Sequence, residues 1–393
     1  SPDLLVLSHH DVERTAGDLA DVLERMMKVP ARVHKVATHA RASSDQFVHF
    51  DLLARGRAAG RSVVAIAMGA KGVATRILGP AHGAPFTFCS LERGAESAPG
   101  QLTLDEVCNV YRVDRHSRQT PVLGLLAGSI EYSLSPLLHN RACAETETDA
   151  VYIPFEIDDL DGFNAAGVRG SRAGWNLRGL SVTNPFKQRV ALLVDELDDS
   201  ALRPGSVNTI VVSGSRIKGY NTDVAGVRKP LLARLGSLSG SRTAVIGTGG
   251  AAHAVLTALE SLGAHMFVIG RDADRSAAVA ARFGAQALGI DEIAGARLDL
   301  LVNATPVGTS GQFVDESPVS ASVLPGIGMV FDLVYKPPTT RLLKDAERAG
   351  CNTMNGLEML ATQAAAQFEL WTGKRVSTAR MLDFAGGKAP VSR

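Results

Sequence analysis

Cysteine is scarce in this chain: 4 residues in 393, Cys89, Cys108, Cys143 and Cys351, none in a Cys-x-x-Cys pair. That spacing excludes a zinc ribbon or a disulfide framework, leaves no metal site to expect, and suits a reducing, cytoplasmic compartment. Net charge is nearly absent, at +1, so nothing calls for a nucleic-acid partner or an anionic membrane surface. Apolar runs stay shorter than a membrane span, and the first residues lack the basic-then-apolar pattern of a signal peptide. Internal repeats are missing, as is low complexity outside the tail 386–393. Against these absences stand 45% apolar and 21% charged residues, ordinary values for packed globular domains. The chain opens at Ser1-Pro2-Asp3 without a methionine and enters a strand-like run at once, which reads as a cut end.

The length allows two or three domains. Up to about residue 110, β-rich runs at 4–7, 33–37, 63–67 and 85–89 alternate with helical patterns. Between the first two, Val22, Leu23, Met26 and Met27 recur at helical spacing. Such alternation predicts a parallel sheet with crossovers. The stretch 112–120 is polar and without periodicity, and reads as a linker. A second module starts with the run 121–126 and extends to about 225. A third opens with the apolar strand 243–247 and continues in βα alternation to about 350. The last clear helix is 357–371, with Leu357, Leu360, Ala364, Phe368 and Trp371 on one face.

The segment Gly247-Thr248-Gly249-Gly250-Ala251-Ala252 follows a predicted strand and precedes a helical run. Small residues there let backbone approach a pyrophosphate, and the helix N-terminus favours its charge. In that context the motif predicts a dinucleotide site at Gly247, Gly249, Gly250 and Ala251. The next strand, 265–270, ends in Arg271-Asp272-Ala273-Asp274-Arg275. Arginines at that end accommodate a 2′-phosphate, whereas an acidic residue binds a ribose diol. Arg271 and Arg275 therefore favour NADP, and Asp272 beside them keeps NAD open.

Ser133-Leu134-Ser135-Pro136 places two hydroxyls ahead of a helix with proline in its first turn, a setting that suits a carboxylate ligand or a simple N-cap. Further on, Thr183-Asn184-Pro185-Phe186-Lys187 turns at the end of a strand. Asn208 and Asp223 follow in later loops. A lysine and an aspartate can hold a ketone or alcohol oxygen and exchange its proton while hydride moves to or from nicotinamide.

At these residues the chain resembles the shikimate dehydrogenase family. Ser-x-Ser-Pro-x-x-His-Asn at 133–140, Val-Thr-x-Pro-x-Lys at 182–187, Asn208-Thr209, Asn221-Thr222-Asp223 and Gly247-x-Gly-Gly-Ala occur in the family's order, and the likeness spans about 121–385. The resemblance implies that Lys187 and Asp223 are the catalytic pair. It implies that Ser133 and Ser135 bind the substrate carboxylate and that Thr183, Asn208 and Gln363 bind ring hydroxyls. Asn303-Ala-Thr305-Pro-Val-Gly308 would lie by the nicotinamide and Tyr335 beside the substrate. Two positions depart from the family pattern. Gly270-Arg271-Asp272 stands where Asn-Arg-Thr is common, which weakens NADP over NAD, and Thr309 stands where methionine is common.

A second lysine, Lys35, lies in a predicted strand, with His10 at the end of the strand before it. A desolvated lysine can condense with a ketone, and a nearby histidine can move the adjacent carbon's proton. Ser8-x-His10-Asp11, Lys35-Val-Ala, Met68-Gly69-x-x-Gly72-x-x-x-Arg76 and Ser97-Ala-Pro-Gly-Gln101 resemble type I 3-dehydroquinate dehydratase. That implies a Schiff base on Lys35, His10 as general acid/base, and Arg76, Ser97 and Gln101 as substrate contacts. The matched residues supply about four of the eight βα units of that family's barrel and correspond to its second half.

The expected fold is α/β. Residues 1–112 would be half of a TIM-type βα barrel, 121–225 with 355–385 an α/β substrate domain, and 226–354 a Rossmann-like NADP domain. The expected function is reduction of 3-dehydroshikimate to shikimate, with a dehydratase region acting on 3-dehydroquinate that is incomplete. Further shikimate-pathway domains are expected upstream in the same polypeptide. Alternatives are an NAD-using quinate/shikimate dehydrogenase and a non-catalytic regulator that senses metabolites.

Overall fold

A computed structural model describes residues 2–131, 133–170, 174–311 and 313–386. They divide into two compact units, one holding residues up to 186 with 211–216, the other 187–210 with residues from 217 onward.

The first unit begins with a three-stranded parallel sheet, β1 (Val6–Asp11), β2 (Val33–His39) and β3 (Val63–Met68), in that order. Burial grades across it. All of β3 is buried, most of β2 is, and β1 alternates between exposed and half-buried positions. Nothing among the described residues covers the outer edge of β1, and Leu4 beside it is 83% exposed. The expected fourth strand at 85–89 does not form. Only Cys89–Ser90 pairs, with Leu102–Thr103, in a separate two-stranded ladder. Pro85 has no N–H to give a ladder, and Phe88 packs against a lysine instead of a strand.

A second parallel sheet in this unit has β4 (Pro121–Ala127) between β5 (Val151–Glu156) and β6 (Asn176–Val182). The first and second sheets share one core. Helix α1 (Asp45–Ala58) buries Phe47 and Phe50. The Phe47 ring lies 5.7 Å from Phe163 and 5.5 Å from Trp175, and Phe50 lies 5.7 Å from Trp175. At the edge of this cluster Lys71 Nζ donates to Asp158 Oδ2 at 2.7 Å, and the Ser43 N–H donates to the other oxygen at 3.1 Å. The stretch 112–120, expected to be a linker, holds a single 3-10 turn at Val113–Arg115 and is tied down. Val113 is buried, Thr120 Oγ1 donates to Asp149 at 3.0 Å, and Asn176 Nδ2 donates to the Gln119 carbonyl at 2.7 Å. Side-chain bonds of this kind leave no periodic trace in a sequence.

The second unit is built on a six-stranded, all-parallel sheet: β7 (Arg242–Ile246), β8 (His265–Ile269), β9 (Gln286–Ala287), β10 (Leu300–Asn303), β11 (Met329–Asp332) and β12 (Asn352–Met354). Its spatial order is β9-β8-β7-β10-β11-β12. That is the doubly wound 3-2-1-4-5-6 order of dinucleotide-binding domains. Period-two alternation loads both faces, as a buried parallel sheet requires. Val245, Val268, Val302 and Phe331 join one apolar cluster, and Ala244, Phe267, Leu301 and Val330 join the other. Helices α2 (Asp223–Leu235) and α3 (Gly250–Ser261) pack on the first cluster, through Val227 and Leu231 and through Val255 and Leu259. The expected last helix is present as Leu357–Thr372, and a further one, Thr378–Ala385, follows it. Among the described residues no helix is long and apolar enough to cross a membrane.

Candidate active site

In the second unit the chain turns into a short helix at Lys187, and Asp223 is the first residue of α2, where a carboxylate suits the helix dipole. The turn between Asn221 and Asp223 is fixed by Asn221. Its Oδ1 accepts the Asp223 N–H at 3.1 Å, and its Nδ2 donates to the Ser206 carbonyl at 2.8 Å. Lys187 Nζ then meets Asp223 Oδ2 at 2.6 Å, with the two side chains only 15% and 5% exposed. Asn208 Nδ2 donates to the other oxygen, Oδ1, at 2.7 Å. Asn208 is itself held rigidly: its Oδ1 accepts from the Thr222 N–H at 2.8 Å and the Thr209 hydroxyl at 2.7 Å. Gln363 Oε1 lies 3.5 Å from Asn208 Nδ2 and from Thr222 Oγ1, at the limit of a hydrogen bond. Four of the predicted residues thus form one connected, largely buried group with an ammonium at its open end.

The glycine loop adjoins this group. Gly247 sits at φ +124°, in backbone that side chains rarely adopt, and Gly249 has nothing near where a Cβ would be. That free space, at the N-terminus of the 12-residue α3, fits a pyrophosphate. A Cβ on Gly250 would lie 3.0 Å from Lys187 Cβ, so the loop and the lysine abut. Arg271 and Arg275 are exposed at the end of β8. Asp272 between them caps the helix Ala273–Arg282, its carboxylate accepting the Arg275 N–H at 3.0 Å. Tyr335 is half-buried just beyond β11.

Ser133, Ser135 and Thr183 belong to the first unit. They sit at the C-terminal ends of its parallel strands, where α/β ligands gather. The Ser133 hydroxyl accepts the Ser135 N–H at 3.2 Å, so Ser133 and not Ser135 caps that turn. The Thr183 N–H donates to the Leu126 carbonyl at 3.1 Å, which sets Thr183 beside the end of β4.

The Lys35 group is also in the first unit. Ser8 and Lys35 are register partners on β1 and β2, and His10 lies one pleat further along. Burial pushes the Lys35 ammonium pKa down, and the nearby Arg76 charge adds to this. Burial also pushes His10 down, with smaller effects from Lys35 and His9. Lys35 Nζ rests 4.2 Å from the centre of the Phe88 ring. Arg76 is buried, which lowers its guanidinium to about 10, and its Nη2 donates to the Pro99 carbonyl at 3.3 Å. Gln101 Oε1 accepts from the Ser97 N–H at 2.8 Å and the Ser97 hydroxyl at 3.2 Å. The loop also bonds Gly69 N–H to the Pro99 carbonyl at 3.0 Å. Lys35, Arg76 and the 97–101 loop therefore converge, while His10 stands on the open edge strand.

Three supporting residues escaped the sequence reading. Gln367 Nε2 donates to Thr209 Oγ1 at 2.9 Å and to the Asn208 carbonyl at 3.2 Å; one helical turn after Gln363, its i,i+4 spacing was a readable signal. Asn221 stood inside a quoted motif without a role. Asp332, a lone carboxylate closing an apolar strand, is fully buried, which raises its pKa to about 6 although Thr340, Val334 and Asn303 hydrogen-bond to it.

A Rossmann sheet whose glycine loop abuts a lysine–carboxylate pair defines a nicotinamide-dependent oxidoreductase. Residues 4–118 match the type I 3-dehydroquinase family, 125–210 the shikimate dehydrogenase substrate binding domain and 356–383 the shikimate 5′-dehydrogenase C-terminal domain. Over 262 residues the chain is 42% identical to shikimate dehydrogenase (NADP(+)) of Halobacterium salinarum, covering 96% of that protein and 66% of this chain. The chain belongs to the shikimate dehydrogenase family, with a type I 3-dehydroquinase segment ahead of the dehydrogenase. Across 389 residues it is also 31% identical to the chloroplastic bifunctional 3-dehydroquinate dehydratase/shikimate dehydrogenase of Arabidopsis thaliana. That match takes in 94% of this chain and 63% of the length of the Arabidopsis protein. Among solved structures, shikimate 5-dehydrogenase of Thermus thermophilus in complex with NADP(H) and shikimate superposes with a TM-score of 0.61 at 33% identity, covering 68% of this chain and 98% of the other.

Proposed function

We propose that this chain reduces the ketone of 3-dehydroshikimate to shikimate with NADPH. The observation that supports it most is the buried contact of Lys187 with Asp223, fixed by Asn208 and abutting the glycine loop. NADPH supplies the hydride. Lys187 Nζ hydrogen-bonds the substrate oxygen and delivers the proton as the alcohol forms, while Asp223 holds the ammonium in line. In the second unit Asn208 and Gln363 orient ring hydroxyls, with Tyr335 a further substrate contact; in the first, Ser133, Ser135 and Thr183 keep the carboxylate and hydroxyl roles that the resemblance implies. Gly247, Gly249, Gly250 and Ala251 would cradle the pyrophosphate, and Arg271 and Arg275 the 2′-phosphate. The Asp272 carboxylate serves as a helix cap, which supports NADP over NAD.

The test is NADPH oxidation with 3-dehydroshikimate, run in parallel with NADH and with quinate. A protein that binds NADP(H) normally yet oxidises none on this substrate would sink the reading and favour a metabolite-sensing regulator. Within the same proposal, Lys35 and His10 are the Schiff-base lysine and the acid/base of a dehydratase site. Residues 1–393 alone are expected to leave 3-dehydroquinate unchanged, because His10 lies on an uncovered strand. Borohydride trapping on Lys35 together with turnover would overturn that. A cytoplasmic setting and further pathway domains ahead of residue 1 belong to this reading as well.

A further inference from the structure

Asn303 and Asp332 face each other as register partners on adjacent strands, both fully buried. The Asn303 amide is saturated. Its Nδ2 donates to Asp332 Oδ1 at 2.9 Å and to the Val307 carbonyl at 3.2 Å; its Oδ1 accepts from the Thr305 N–H at 3.0 Å and the Thr305 hydroxyl at 2.6 Å. A primary amide offers two donor hydrogens and two acceptor lone pairs. None is left for a ligand. The sequence reading placed Asn303 among the cofactor contacts; the geometry makes its side chain the pin of the turn 304–306. The backbone of that turn packs on the glycine loop: a Cβ on Gly247 would come within 3.1 Å of the Ala304 carbonyl oxygen.

Asp332 decides which way the pin points. A carboxylate only accepts hydrogen bonds, so it draws the NH2 side of Asn303 toward itself and leaves the carbonyl for Thr305. Asp332 is braced on two further sides. Its Oδ1 accepts the Val334 N–H at 3.1 Å, and its Oδ2 accepts the Thr340 hydroxyl at 2.6 Å. Thr340 in turn caps the helix Arg341–Arg348, accepting the Leu343 N–H at 3.3 Å. One carboxylate thus ties together three segments that follow the ends of neighbouring strands.

We propose that Asp332 is a positioning residue for dinucleotide binding. It sets the Asn303 amide, the amide sets the 304–306 turn, and the turn seats the glycine loop. The proposal rests on the dinucleotide reading of that loop given above. It is tested by NADP+ affinity, measured by titration calorimetry without turnover, in the wild type, Asn303→Asp, Asp332→Asn and the double variant. Asp332→Asn can still accept from Asn303 through its carbonyl, but its NH2 then faces Thr340 Oγ1, whose hydroxyl proton loses its acceptor, and nothing dictates the amide orientation any longer, so binding should weaken by about threefold or more. Asn303→Asp opposes two buried carboxylates and should weaken binding roughly tenfold or more. The double variant lets the amide introduced at 332 donate to the carboxylate introduced at 303, but the Val307 carbonyl and the Val334 N–H lose their partners, so binding should recover by about threefold or more over Asn303→Asp, short of wild type. A double variant that folds with the wild-type melting temperature but binds no better than Asn303→Asp would overturn the proposal, because Asn303 would then act on the cofactor directly. A wild type that binds no NADP+ would sink both this and the functional reading, whereas wild-type affinity in Asn303→Asp would sink this alone.

Discussion

Replacing Asp223 by asparagine exchanges one carboxylate oxygen for an NH2 and should cost both fold and rate, for a reason specific to its neighbours. Both groups facing the carboxylate are donors: Lys187 Nζ at 2.6 Å and Asn208 Nδ2 at 2.7 Å. Asn208 cannot turn its amide over, because its Oδ1 already takes the Thr222 N–H and the Thr209 hydroxyl. Asp223→Asn has one carbonyl oxygen for two donors, and whichever it serves, its own NH2 meets the other. One buried donor left unmet costs about 1–3 kcal/mol. For a unit of this size that lowers the melting temperature by roughly 2–4 °C per kcal/mol. The lysine also loses its charged partner. Misplaced general acid–base groups typically cost about 10²–10⁴ in rate, or about 2.7–5.4 kcal/mol of barrier. The assay is steady-state oxidation of NADPH with 3-dehydroshikimate, beside a thermal melt. We expect kcat to fall by that factor with the KM for NADPH within about threefold, since the glycine loop is untouched. A variant with kcat within threefold of wild type would refute the assignment of the pair, whatever its melting temperature.

Two further perturbations probe the first unit. Phe47→Ala removes a ring that touches both Phe163 and Trp175, and should destabilise the unit by about 3–5 kcal/mol. Because that ring joins residues 1–118 to the 121–186 sheet, both parts should unfold in one earlier transition; separate melting of the two would show that they do not share a core. For Asp158, burial pushes the pKa up, but bonds from Lys71 and Ser43 outweigh it and hold the carboxyl below its usual range. A pKa depressed on folding contributes stability above the unfolded value of about 3.9, and that contribution is lost as pH falls toward the folded one. Asp158→Asn should therefore lower the unfolding free energy from urea titration at pH 7 by no more than about 1 kcal/mol for so exposed a pair, with the gap closing toward pH 3. A gap that widens on acidification would contradict the sign.

What the sequence disclosed and what it hid divide along physical lines. The runs 243–247 and 265–270 appear as Arg242–Ile246 and His265–Ile269, because strands buried on both faces read as continuous apolar runs. The segment 85–89 has a strand's composition without a strand, since aromatics there serve packing: Phe86 stacks edge-on to Phe88, and Phe88 underlies Lys35. Helix Thr378–Ala385 was hidden because only Met381 and Phe384 anchor it. Lys187 and Asp223 are 36 residues apart, and no periodicity joins them; their chemistry offered them as a pair, and motif resemblance gave them the catalytic role. Asp332 gave no signal, because what distinguishes it is the donors it meets only in the fold, Asn303 and Thr340 among them.

The two lysines now differ in a way that bears on chemistry. A Schiff-base lysine must spend time as the free amine, whereas a lysine that protonates a nascent alcohol must have a proton to give. Lys187 is held against a carboxylate by a lattice of neutral side chains. Lys35 is instead desolvated and repelled by Arg76, both of which favour the free amine, while the Phe88 ring 4.2 Å away partly opposes them as a cation–π partner. All of those influences come from β2, the Arg76 helix and the 86–88 segment, on the inner side of the sheet. His10 lies on β1, whose outer edge is open among the described residues. On the dehydratase reading proposed above, the electrostatic setting of its lysine is supplied within residues 1–118. What that site still needs is a group on the β1 side to orient the His10 imidazole, so adding strands there should change the histidine's behaviour much more than the lysine's.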